Sequence, residues 1–253
     1  TVLGWSGSKG SAINFNEEDY YWTLGKCLEV GDVVKRHCEI MDKYDPKKRI
    51  GLLVDEWGTW FDEEPGTIPG HLYQQNTLRD AMVAALSLNT FHTFTDRVKM
   101  TNIAQIANVL QSMVLTKEDQ MVLTPTYYVF KMYVPHQDAQ FIPLSISTRE
   151  IAARDGRKVP VVSATASVKD GKTTLSLVNT DLKNETKVTV DLAGVSAKKI
   201  SGEILTASSM NDYNDFGQPE KVTLKGFTKG YQVKDGKLTV TLPAKSIVTL
   251  SLQ

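Results

Sequence analysis

The strongest chemical signal in this chain is Leu52-Leu53-Val54-Asp55-Glu56-Trp57-Gly58-Thr59-Trp60, an apolar run that leads straight into two carboxylates and two indoles. A short apolar run bounded by polar residues is expected of a parallel strand buried on both faces. The carboxyl end of such a strand is where α/β barrels keep their catalytic groups. A carboxylate held there can attack an electrophilic carbon or move a proton, whereas an unpaired carboxylate buried beside apolar residues only destabilises. A salt-bridged strand-end pair is the structural alternative. Strand alternation points Asp55 away from Glu56, which gives Asp55 a structural role holding neighbouring donors. Trp57 and Trp60 offer flat faces that suit either stacking on a sugar ring or filling a core.

The remaining candidates are weaker. His37, His92 and His136 do not fall at metal-ligand spacing with acids or cysteines. Gly7-Ser8-Lys9-Gly10-Ser11 lacks the spacing and the preceding strand of a phosphate loop, and reads as a flexible active-site loop. His71 and Asp62-Glu63-Glu64 follow the strand, where they border a cleft; the acidic run reads as solvated loop charge. Asn211-Asp212-Tyr213-Asn214-Asp215 is rich enough in oxygen ligands to suggest calcium. Cys27 and Cys38, eleven residues apart on one helix, lie about 16 Å from each other. A disulfide requires Cα atoms within roughly 7 Å, so they read as small apolar residues.

These groups need elements to position them. Leu24, Cys27, Leu28, Gly31, Val34, Cys38 and Met41 recur at helical spacing in a segment that ends before Pro46. After the apolar strand come a helix over roughly 75–91, a strand over 98–104 and a helix over 124–134. Alternating strands and helices predict an α/β layout. From about residue 140 the periodicity changes to two, in runs over 161–168, 173–178, 187–192, 237–242 and 246–252, with Asp170-Gly171 and Asp235-Gly236 as turns. The fold class expected is therefore α/β followed by an antiparallel, jelly-roll-like β-sandwich, with residues 1–140 as one domain and 141–253 as the other.

Composition supports this division and excludes several functions. Residues 1–140 carry 13 basic and 18 acidic side chains, the rest 16 and 11, and the whole chain has a formal net charge of zero. No basic field exists to draw it onto nucleic acid or an anionic membrane. No apolar run approaches the roughly 20 residues of a spanning helix. The start, Thr1-Val2-Leu3-Gly4-Trp5, has neither an initiator Met nor a leader pattern, as expected of a truncated piece whose targeting is unknown, though soluble and with a lean to the bacterial cytoplasm or periplasm.

The strand with its Asp55-Glu56-Trp57 and following Trp60 resembles the nucleophile strand of the glycoside hydrolase family 51 α-L-arabinofuranosidases. Tyr73-Gln74-Gln75-Asn76-Thr77-Leu78-Arg79-Asp80-Ala81, Asp96-Arg97-Val98-Lys99-Met100, Asn102-Ile103-Ala104-Gln105-Ile106-Ala107-Asn108-Val109 and Thr124-Pro125-Thr126-Tyr127-Tyr128 are similar to that family's last helices and eighth strand. Ser163 to Ser167, Gly202 to Thr206, Tyr213 to Phe216 and Leu242 to Ser246 are similar to its C-terminal sandwich.

The resemblance implies the C-terminal part of a (β/α)8 TIM barrel ahead of the sandwich, Glu56 as nucleophile, Trp60 and Gln105 as sugar contacts, and no metal or cofactor. It makes the Asn211 loop one that packs sandwich against barrel. It also implies an arabinose-bearing oligosaccharide as substrate and a homo-oligomeric parent. Retaining glycosidases need a second carboxyl roughly 5 Å from the nucleophile. The family places it after an Asn on the fourth strand, upstream of anything here. Asn16-Glu17 has the dipeptide but no preceding strand, and reads as part of the loop after the sixth strand. A full barrel takes about 250 residues, so the N-terminal half of the barrel is missing and the fragment alone should be inactive. A non-catalytic carbohydrate-binding or assembly module and a glycosidase for another glycoside, such as a β-xyloside, are the alternatives.

Overall fold

The computed structural model describes residues 9–253; the sequence readings that fall on residues 1–8 lie outside the described residues. Asn16 caps the first helix, α1 (Glu17–Tyr44), accepting from Asp19 N at 3.0 Å while Asp19 Oδ2 accepts from Asn16 N at 3.3 Å. This reciprocal cap and three acids in the first turn match the positive end of the helix. The apolar periodicity alone places the helix start later and leaves Glu17 in a loop. The cap moves the start to Glu17, which pairs with Lys183 at 2.7 Å. Tyr20, Leu24, Cys27 and Val34 form the buried face. Both cysteines are free, and burial pushes the Cys27 thiol up to about 12.

Strand β1 (Leu52–Trp57), helix α2 (Leu78–His92) and strand β2 (Val98–Ile103) form a crossover unit, because β1 and β2 are parallel. Fully buried Arg97 fastens their amino ends to the end of α1. Its guanidinium donates to Asp45 Oδ2 at 2.9 Å, Asp45 O at 2.8 Å, Ile50 O at 2.9 Å and the Asp42 carboxylate. The sequence expects β1 to be buried on both faces. Instead Leu53 is 50% and its register partner Met100 52% exposed. Among the described residues β1 and β2 form a two-stranded sheet, packed on the helices through Leu52 and Val54 and left uncovered on the Leu53 and Met100 face. The hairpin β3 (Val114–Lys117) and β4 (Gln120–Leu123) follows, then α3 (Pro125–Tyr133), capped by Thr124 with Pro125 in its first turn, and a 3-10 turn at Val134–His136.

The second half is an antiparallel sandwich. Its strands are β5 (Gln140–Ile142), β6 (Glu150–Ala152), β7 (Lys158–Pro160), β8 (Val162–Lys169), β9 (Lys172–Asn179), β10 (Thr186–Asp191), β11 (Ile200–Leu205), β12 (Lys225–Gly226), β13 (Tyr231–Lys234), β14 (Lys237–Leu242) and β15 (Ser246–Leu252). A six-stranded sheet, β12-β11-β15-β9-β8-β5, faces a three-stranded sheet, β10-β14-β13. The two Asp-Gly turns close β8–β9 and β13–β14, with both turn residues at positive φ. Leu175, Leu177, Leu238, Val240, Leu242, Val248 and Leu250 fill the space between the sheets.

The large sheet is a middle layer. Its other face, with Val178, Leu205 and Ile247, shares a core with α1, α2 and α3. A polar seam crosses this contact. Tyr133 Oη donates to Asn89 Oδ1 at 2.8 Å, and Asn89 Nδ2 donates to Ser163 Oγ at 2.9 Å. His92 Nδ1 meets Thr165 Oγ1 at 3.0 Å, while His136 meets Ser167 Oγ at 2.7 Å and Ser176 Oγ at 2.9 Å. The two imidazole centroids are 5.2 Å apart.

Burial lowers His92 to about 4 and His136 to about 3, the second also repelled by the first. The unfolded chain therefore takes protons first, at the ordinary value near 6.5. The stability linked to these neutral rings is complete above that pH and falls as pH drops toward 4, by on the order of a few kcal/mol. Urea midpoints measured between pH 7 and pH 4.5 should decline accordingly. The decline should be visibly shallower for the His92→Asn/His136→Gln double variant; equal slopes would refute the assignment.

Candidate active site

The end of β1 is irregular. Val54 pairs with Thr101 and Trp57 with Ile103, so three steps on β1 oppose two on β2. Such a bulge re-aims the side chains at a strand end. Here it lets Trp57 turn into the core, 2% exposed, with its ring 5.3 Å from Phe91 edge-on and 6.0 Å from Phe130 in a stacked arrangement. Trp57 is thus core filler. Asp55 and Glu56 are both exposed on the bulge, and neither has a hydrogen-bonding or ionic partner among the described residues. The donors that Asp55 is expected to hold are not found among the described residues, and the bulge interrupts the alternation that sets it opposite Glu56.

Glu56 and Gln105 come together at the carboxyl ends of adjacent strands. Trp57 O accepts from Ala104 N at 2.8 Å, and each of the two residues flanks that bond. Gln105 is exposed, follows a cis peptide, and is held by its main chain to Val109 O at 3.1 Å and Met113 N at 3.3 Å. Trp60, four residues after Glu56, is half-buried, with Lys9 Nζ 3.9 Å from its ring centroid.

Beneath this surface lies a buried polar network. Gly58 has φ +136°, and a Cβ there would lie 3.3 Å from Gln111, so the turn after Trp57 favours glycine. Gln111 accepts from Thr59 N at 2.9 Å and donates to Asp80 O at 2.7 Å and Thr126 Oγ1 at 3.1 Å. The fully buried Asp80 carboxyl receives Thr59 Oγ1 at 2.7 Å, Thr77 N at 2.7 Å and Thr77 Oγ1 at 3.1 Å. Burial raises its titration, against the pull of Arg79 and these donors. Thr126 donates to Asn76 Oδ1 at 3.0 Å, and Gln74 accepts from Phe61 N at 2.9 Å.

The surrounding loops are held more firmly than the sequence suggests. Asp62 accepts from the main-chain N–H of Lys9 and Gly10, Glu64 from Ala12 N and the Ser11 hydroxyl, and Glu63 from Gly70 N and Leu72 N. The acidic run is thus a set of loop staples rather than solvated charge, and Lys9–Ala12 is a bonded segment rather than a flexible loop. Gly7 and Ser8 lie outside the described residues. His71 is exposed, and among the described residues it bonds through its main chain, to Ile68 O at 3.2 Å. Asn211 Nδ2 donates to Ile13 O at 2.8 Å and Phe15 O at 3.0 Å, Asp212 Oδ2 accepts from Ser209 N at 2.8 Å, and Asn214 ties Leu123 and Val222 together. That loop packs the two halves against each other. Asp80, Arg79, Gln111 and Asn76 were not singled out from sequence as site residues; the Thr77-x-x-Asp80 capping pattern is the one signal that could have found Asp80.

The family model of the α-L-arabinofuranosidase C-terminal domain matches residues 55–246. The chain is 63% identical to an intracellular exo-α-L-arabinofuranosidase of Bacteroides ovatus, over all of this chain and 49% of that protein. The crystal structure of a GH51 arabinofuranosidase from Xanthomonas axonopodis pv. citri superposes with a TM-score of 0.94 at 45% identity, covering 99% of this chain and 50% of the other. A family 51 α-L-arabinofuranosidase of Bifidobacterium longum shares the fold at TM-score 0.80 and 23% identity, over 94% of this chain and 49% of that one. The chain thus spans about half the length of the relatives it matches.

Gln111→Leu keeps the volume but strands the Thr59 N–H and the Asp80 carbonyl in the interior. It should cost about 2–4 kcal/mol, read as a lower urea midpoint, because buried groups without partners pay their full desolvation. Gln120→Leu, on the exposed edge of β4, should stay within about 0.5 kcal/mol of wild type.

Proposed function

As this chain belongs to the glycoside hydrolase family 51 α-L-arabinofuranosidases, we propose that it is the C-terminal part of an enzyme that removes terminal α-L-arabinofuranosyl residues from arabinan or arabinoxylan fragments, with Glu56 as nucleophile. The observation that carries this reading is the placement of Glu56: an exposed carboxylate, without a partner among the described residues, on a bulge at the carboxyl end of a parallel strand, beside the Gln105 strand end and above a buried polar network. β1 and β2 are then the last two strands of a (β/α)8 barrel. The exposed Leu53 and Met100 form a ridge that the upstream strands cover.

In this mechanism a Glu56 oxygen attacks the anomeric carbon as the glycosidic bond breaks, and an acid carboxyl from the upstream half gives its proton to the leaving oxygen. A water, deprotonated by that same group, then attacks the arabinosyl ester and frees Glu56, so the configuration is retained. Glu17 is excluded as that acid by its place in the first turn of α1 and its pairing with Lys183. Trp60 and Gln105 contact the sugar. No metal or cofactor takes part. The described residues contain no helix long and apolar enough to cross a membrane. Because a relative at 63% identity is described as intracellular, we place the substrate inside the cell.

Glu56→Gln in the full-length protein should lower kcat for an aryl α-L-arabinofuranoside by about 10⁴-fold or more, equivalent to about 5 kcal/mol of barrier. The melting temperature should hardly move, because Gln keeps the volume and shape of Glu and the Glu56 side chain has no partner among the described residues. Azide should restore part of the activity and give the β-configured glycosyl azide. Ordinary turnover by the variant, or a mechanism-based label on Asp55, Glu17 or Glu63, would sink the assignment.

A further inference from the structure

Arg79 is buried where an arginine is expensive. It is 1% exposed and occupies the second position of α2, where a cation opposes the positive end of the helix. Among the described residues no carboxylate bonds it. Its hydrogen bonds leave from Nη2, to Ser11 O at 3.2 Å and Ala12 O at 3.1 Å, and Nε has no partner among the described residues. For stability alone, an apolar side chain of similar length would serve as well or better. What only a guanidinium supplies is a flat cation that stacks and donates in its own plane at the same time. Arg79 lies between the Phe15 and Phe61 rings, 3.6 and 3.8 Å from their centroids.

Two loops meet at this clip. Phe61 directly follows Trp60. Ser11 and Ala12 belong to the segment that sets Lys9 on the face of Trp60. Side chains satisfy much of that segment's main chain, Asp62 and Glu64 at its N–H groups and Asn211 at the carbonyls of Ile13 and Phe15, while the Gly10 carbonyl accepts from Asp62 N at 2.9 Å. Arg79 adds a cationic link from the Ser11 and Ala12 carbonyls to the Phe61 ring, beside the apolar packing of Ala12 on Phe61 and that main-chain bond from Asp62 to Gly10.

We propose that Arg79 is a positioning residue for Trp60: through Phe61 and the Ser11 and Ala12 carbonyls it fixes the two loops that border the indole, and so sets affinity for the sugar without touching it. This rests on the reading of Trp60 as a sugar contact.

The test uses the full-length protein with Arg79→Met, Arg79→Lys and Phe15→Leu. For an aryl α-L-arabinofuranoside, Arg79→Met should raise KM about tenfold or more while kcat changes less than about threefold. Arg79→Lys should not rescue it, since an ammonium neither stacks flat nor forks, and Phe15→Leu, which removes one ring and keeps the charge, should shift KM in the same direction by less. In a Trp60→Ala background, Arg79→Met should add less than about twofold, because coupled residues are not additive. In 5-fluorotryptophan-labelled protein, the Trp60 resonance, assigned by its loss in Trp60→Phe, should move or broaden in both Arg79 variants. An unmoved resonance, an undiminished effect in the Trp60→Ala background, or a loss confined to kcat would overturn the proposal. An inactive wild-type protein would sink the functional reading alone, and the fluorine resonance would still decide the positioning role.

Discussion

A carboxyl group with no exposure to water must be met by donors, and Asp80 shapes the chain around the strand ends for that reason. Thr59, three residues past Glu56, has to bring its hydroxyl to Asp80; Thr77 has to start α2 where it does; Gln111 has to cross from the far side of β2 to take the Asp80 carbonyl and the Thr59 N–H. Thr126 carries the same network into the first turn of α3. One buried acid thus ties together the loops that follow both parallel strands and the starts of two helices. In a low dielectric, a network satisfied at every member is rigid, and a member left unpaired is costly.

The two ends of the strand pair are fixed by different chemistry. At the amino ends, Arg97 draws Asp42, Asp45 and the Ile50 carbonyl together, fastening α1 to the sheet with full charges. At the carboxyl ends, amides and hydroxyls do most of the work. The end of β1 thus stands on a buried, hydrogen-bonded base, while the Glu56 side chain on it has no partner among the described residues.

The elements were legible wherever periodicity was long. α1, α2, α3 and the strands β8, β9, β14 and β15 follow from apolar spacing and Asp-Gly turns. The hairpin β3–β4 was not, because four-residue strands carry too little pattern, and β11 was hidden by Gly202 at its centre. The place of Glu56 at the end of a parallel strand was legible because the apolar run ends at the acids. The burial of β1 was overestimated because sequence shows how apolar a strand is and not how many neighbours it has. Arg79 and Gln111 were invisible since their partners lie 67 and 68, or 15 to 52, residues away. The acidic run was misread for a related reason: its donors are main-chain N–H groups, which leave no mark in a sequence.

A sheet whose two faces are both cores cannot travel by gene recombination as a loose cassette. β9 turns Leu175 and Leu177 toward the small sheet and Val178 toward the helices, so a crossover near residue 140 would bring in a sheet selected against foreign helices. The seam of Asn89, His92, Tyr133 and His136 with Ser163, Thr165, Ser167 and Ser176 adds hydrogen bonds that both parents of a chimera must share. Exchange of sandwiches between relatives should succeed only where α2 and α3 move with them, which makes the inheritable unit larger than the sandwich itself.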